Sequence, residues 1–219
     1  SYEEALRLQW SSKDLLYDSQ DIQVDPNTLS IEKVNYLITN YNRSAKLFYS
    51  FKDTLEAIDS LNEIYYLKRD RLTSEERIEV LNFLIDITEE YHPKYTLRNF
   101  LFNDLISSYY NLFDFEMANH SKNRFIEICN LYCTSTEKLT YLYSMMMNVD
   151  DVKSRRVEDD IVLIAIEKEL LNMNEDINEN NGVILYVLSS LIKENINNYD
   201  FIEDSIYWTK RVDGFRSWA

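Results

Sequence analysis

Two histidines, two cysteines and a scatter of acidic residues are the side chains of this 219-residue chain with the most chemical potential. His92 lies three residues after Glu89, the Glu-x-x-His spacing that puts two ligands on one helical face in di-iron bundles. Such a centre needs a second copy and two further glutamates, whereas the other histidine, His120, lies four residues after Glu116. Cys129 and Cys133 stand one helical turn apart, where a bridge would staple nothing, and they lack the paired Cys and His elements of structural zinc sites. They read as small core residues in a reducing, intracellular setting. A nucleophile on a strained glycine turn is also missing, because neither Gly182 nor Gly214 sits in such a context. The pairs Asp150-Asp151 and Asp159-Asp160 lack the glycine and alternating oxygens of a calcium loop and read as solvated helix ends. There is no phosphate-cradling or dinucleotide fingerprint. The sequence therefore predicts no catalytic residue, no cofactor and no metal site, and a chain that is not an enzyme.

Composition narrows the fold that positions these residues. Two glycines and two prolines are far too few for sandwiches, barrels or Rossmann folds, which need turn and bulge glycines. The expectation is an all-α protein with no sheet and at least two-thirds helix. Hydrophobic residues make up 45% of the chain and aromatics 14%, enough apolar area to pack helices. A formal net charge of −15 repels phosphate backbones and so argues against direct nucleic-acid binding. The same field keeps an extended helical protein in solution and steers basic or amphipathic partner segments toward it. Lys68-Arg69-Asp70-Arg71 and Arg155-Arg156 are small basic islands suited to neutralising nearby acids or helix C-termini. The longest apolar run, Ile161 to Ile166, falls well short of the roughly 20 residues that span a bilayer, so no membrane association is expected.

Apolar spacing and capping signals predict helices throughout. The first covers Tyr2 to Asp18 and is followed by a polar connector, Asp18 to Thr28, containing Pro26. Ser30 to Phe51 carries Val34, Leu37, Ile38, Tyr41, Ala45 and Phe48 at spacings of three and four, one buried stripe. Asp53 caps a third helix with Leu55, Ile58, Leu61, Ile64 and Tyr65 facing inward. Thr73 and Glu76 form a capping box for a fourth, which ends at Tyr91 before His92-Pro93. Further helices are expected over Tyr95 to Leu112, Asp114 to Tyr132 and Thr136 to Asn148, the last behind a Thr134–Glu137 box. Charged residues from Asp150 to Asp160 lead into a helix ending near Asn174, whose stretch Ile161 to Ile166 is apolar on all sides and predicts burial all round. A last pair spans Gly182 to Asn197 and Phe201 to Val212, closed by Gly214 at a C′ position.

Small residues recur near aromatics along the chain. Ser1-Tyr2-Glu3-Glu4-Ala5 sets an aromatic three places before an alanine, Asp53-Thr54-Leu55-Glu56-Ala57 follows Ala45 and Phe48, and Phe115-Glu116-Met117-Ala118 follows Leu105, Ile106 and Tyr109. This pattern resembles the second helices of tetratricopeptide-type (TPR) hairpins. Ala5, Ala57 and Ala118 are not spaced at multiples of the roughly 34 residues of a regular array, so the repeats are degenerate. The resemblance implies an irregular stack of antiparallel helix pairs, a TPR-like α-solenoid, with a surface that holds protein or peptide partners. Tyr2-Glu3-Glu4-Ala5-Leu6 with Trp10 also resembles the meiotic TPR scaffold family that links crossover factors to the chromosome axis.

The reading that follows is a single helical-repeat domain over residues 1–219, opening mid-hairpin as a piece of a longer array, and acting as a non-catalytic protein-interaction scaffold. The alternative is a helical regulator whose curvature responds to a peptide or ligand. Trp10, Phe215 and Trp218 are the candidate partner-binding residues, because large aromatics anchor interfaces and the last two lie past a helix stop. Apolar inner faces left uncovered at the ends also predict self-association through the terminal helices.

Overall fold

The computed structural model describes residues 1–17, 24–98, 101–148 and 161–172. Among them, 88% are helical and no strand occurs, as glycine scarcity and apolar spacing led one to expect. The chain divides into two compact units, Ser1–Asp114 and Phe115–Ala219.

In the first unit, α1 (Tyr2–Leu16) opens on a capping box in which the Ser1 hydroxyl accepts from the Glu4 N–H while the Glu4 carboxylate reaches back to the N-cap nitrogen. A 3-10 turn at Pro26–Thr28, held by Asp25, leads to α2 (Ile31–Ser50), whose Ser30 cap accepts from Lys33. Asp53 then caps α3 (Thr54–Lys68), and a second 3-10 turn at Arg69–Arg71 precedes α4 (Ser74–Tyr91). The Thr73–Glu76 box forms with both of its bonds. Pro93 does not merely stop α4. It takes the first position of a short helix, α5 (Pro93–Arg98), where a missing N–H costs nothing. Helix α6 (Leu101–Asn111) follows, so the single helix expected over Tyr95 to Leu112 is two described segments with an earlier start.

The stripe predicted on α2 is the heart of this unit. Val34, Leu37 and Tyr41 pack with Leu16 and Leu67 in one cluster, and Phe48 packs with Ala5 and Ala57 in another. As numbering rises along α3 it falls along α2, so these helices are antiparallel. Ser44 and Ser60 meet midway, their hydroxyls 3.0 Å apart and buried. Helix α1 runs with α3: Tyr2, Gln9 and Tyr17 donate in turn to Asp53, Glu56 and Glu63 at 2.6, 2.7 and 2.9 Å. Helix α4 packs on α3 and on α6. Leu55 departs from its predicted inward face, being 37% exposed, because it sits in the first turn of α3.

The second unit contains α7 (Phe115–Tyr132), α8 (Ser135–Asn148) and α9 (Ile161–Asn172), each packed on the other two. Ala118, Phe125, Ile128, Cys129, Leu139 and Leu142 supply its core, with Val162 and Ile166 from α9. The all-round burial expected for Ile161 to Ile166 does not hold. Ile164 is 49% exposed while Val162 and Ile166 are buried, so α9 has a solvent face. The Asp150 to Asp160 segment and the helices expected over Gly182 to Asn197 and Phe201 to Val212 lie outside the described residues, as does Gly214. Among the described residues no helix is long and apolar enough to cross a membrane.

Candidate partner-binding groove

Of the side chains singled out for chemistry, His92 belongs to the first unit and His120, Cys129 and Cys133 to the second, while the pairs Asp150-Asp151 and Asp159-Asp160 lie outside the described residues. His92 is the C-cap of α4, and its Nε2 is hydrogen-bonded to Thr54 Oγ1 at 2.9 Å, which ties the end of α4 to the start of α3. His120 is exposed on α7. Cys129 is a buried, free thiol pushed up in pKa by its burial and then by neighbouring Cys133, which makes it a poor nucleophile. No group of three or more potential metal-ligating side chains occurs among the described residues. Arg69 stacks over Tyr66 at 5.2 Å and pairs with Asp70 and Asp104, so the basic island at 68–71 is partly spent on its own neighbours.

One polar cluster escaped sequence reasoning. Asp59 and Glu63, one turn apart on α3, face Lys13 and Tyr17 of α1. Burial raises both carboxyls above their ordinary values; Lys13 partly offsets this at each, as does the Tyr17 hydrogen bond at Glu63. The Tyr17 hydroxyl is in turn pushed up by burial and by Glu63. The cluster is a seam between packed helices rather than an open site.

An open concavity lies elsewhere in the first unit. A cavity of about 240 Å³ is bounded by α2, α3 and the end of α4. Its origin is local: Ala45 on α2 and Ala57 on α3 let the helices approach, yet their short side chains leave space that Ile58, Leu61 and Ile87 line without filling. The mouth is amphipathic. Lys46, Tyr49 and Tyr91 are exposed there, with Thr54 at the start of α3. The Tyr91 hydroxyl is raised by the adjacent Glu90 carboxylate and by Tyr49.

Of the sequence-predicted binding residues, Trp10 lies on α1 with 60% of its surface exposed and does not line this cavity. Phe215 and Trp218 lie outside the described residues. The sequence signal that could have found the groove was the pair of small residues Ala45 and Ala57, which periodicity alone places in a buried stripe and in the phase of a helical hairpin. Comparison with family models, with curated proteins and with solved structures returned no match.

Proposed function

We propose that this chain is a non-catalytic protein-interaction module, a scaffold segment that holds a partner segment against its helical surface. The observation that carries this reading is the α2–α3–α4 groove, with apolar walls and exposed tyrosines at its mouth. Tyrosine is among the residues enriched at binding hot spots, which cluster around desolvated pockets. At about 240 Å³ the cavity is smaller than the roughly 300–1,000 Å³ typical of small-molecule sites, which favours a partner side chain over a ligand-responsive regulator. Antiparallel α2 and α3 with small residues at their crossing support a TPR-like arrangement, and exposed Trp10 supports a further contact, including self-association, at the α1 end.

The test is to pan a random peptide library on the whole chain and measure the enriched sequences against Tyr49→Ala/Tyr91→Ala. Both substitutions are at exposed sites, so folding is retained and read by far-UV dichroism. Enriched peptides should lose about tenfold or more in affinity, as expected when hot-spot contacts are truncated. No enrichment, or enriched peptides indifferent to the double substitution, refutes the assignment of the groove.

A further inference from the structure

Resting on the groove reading above, we propose that its occupant is a protein segment that inserts one bulky apolar side chain and carries an acidic residue beside that anchor on the α2 side. Two observations fix these features. The first is size and lining, because a space of about 240 Å³ walled by Ala57, Ile58, Leu61 and Ile87 accepts one large aliphatic or aromatic side chain and offers few polar partners. The second is charge. Lys46 stands at the mouth, exposed, and makes no hydrogen bond or ion pair among the described residues. Arg43, one turn earlier on α2, is engaged by Glu4, whereas Lys46, the one cation among the residues lining the cavity, is available to an incoming group.

Net charge argues the other way, since a chain at −15 attracts basic segments overall. Distance decides between them. At physiological ionic strength exposed charges are screened beyond about 8 Å, so a residue seated beside the anchor feels Lys46 more than acids across the unit. Glu90 reaches the Tyr91 hydroxyl, which also meets Tyr49 of α2, so the acidic residue belongs on the Lys46 side of this tyrosine pair and a neutral or basic one on the Glu90 side. The seated segment thereby has a direction as well as an anchor.

The experiment uses the whole chain and fluorescein-labelled short peptides, each with one central Leu, Phe or Trp. The anchor is flanked on either side in turn by Asp or by Lys, and binding is read by anisotropy and by the methyl resonances of Ile58 and Ile87. At about 0.15 M salt an Asp-flanked peptide should bind roughly two- to fivefold more tightly than its Lys-flanked counterpart. Lys46→Glu should invert that preference and Lys46→Gln should abolish it; both change an exposed side chain and leave the fold intact. If anchored peptides shift the Ile58 and Ile87 methyls but their flank preference survives Lys46→Glu, the acidic feature is wrong while the groove reading stands. If replacing the central anchor with Ala changes nothing, or no peptide perturbs those methyls, the groove reading falls with it. Hexanoate shifting the same methyls at lower concentration than any peptide would assign the site to a small acid and also overturn the proposal.

Discussion

Lys138 of α8 and Glu169 of α9 form an ion pair at 2.6 Å that is almost wholly removed from solvent, with side chains 13% and 7% exposed. Burial pushes the Glu169 carboxyl up, but hydrogen bonds from Lys138 and Ser135 outweigh it and bring the group below its ordinary value. Truncating one partner strands the other. Lys138→Ala should destabilise the second unit by about 3–5 kcal/mol, whereas replacing both with Met and Leu should be near neutral, because a buried pair mainly offsets its own desolvation. Chemical denaturation of the two variants checks this, and equal losses from both would contradict it.

The raised carboxyls of Asp59 and Glu63 give a signed dependence on pH. Between their ordinary and raised values the folded chain binds more protons than the unfolded one, so stability falls as pH rises through that window. Below the window both states are protonated and the effect disappears. Above it the penalty is complete. Glu63→Gln keeps an acceptor for Tyr17 and removes the charge, so it should raise the melting temperature at about pH 7 and have little effect at about pH 4. The same increment at both pH values would show that burial does not set this carboxyl.

Lys52 ends the α2 turn in the left-handed region, with φ of 63°, and Phe113 does the same after α6 with φ of 59°. A side chain with a Cβ is strained there by roughly 1–2 kcal/mol, which glycine avoids. Lys52→Gly should therefore stabilise the first unit by about 1 kcal/mol in urea denaturation. A destabilising result would mean that the lysine side chain contributes more than its backbone costs.

Ala118 is completely buried on α7. Ala118→Leu should overpack that site by roughly 1–3 kcal/mol. Unchanged thermal stability would show that the site accepts volume and that the alanine phase carries no packing meaning.

The parts of the fold legible in the sequence are those written in short-range chemistry. Thr73–Glu76, Thr134–Glu137 and Asp53 each mark a helix start because the cap and its backbone partner lie within four residues. The stripe of α2 was legible for the same reason, with Ile38 only partly buried. Burial within α9 was not, since a run apolar on every side carries no phase to say which face a neighbour leaves open. The groove was least legible: Ile87 and Tyr91 join Ala45 and Tyr49 only because α2 and α4 both flank α3, a relation between residues some forty positions apart. The Asp59–Lys13 seam was hidden likewise, because its members are distant in sequence and ordinary in type.

The buried contact between Ser44 and Ser60 bears on how the groove meets a partner. Were α2 to slide by one turn along α3, Ser44 would keep its bond to the Tyr41 carbonyl but the buried Ser60 hydroxyl would lose its partner, at a cost of about 1–3 kcal/mol. The helices that carry Lys46 and Ala57 are thereby held in one register before anything binds. A partner meeting this wall loses only its own conformational freedom, so tuning its affinity depends on stiffening the incoming segment rather than the chain that receives it.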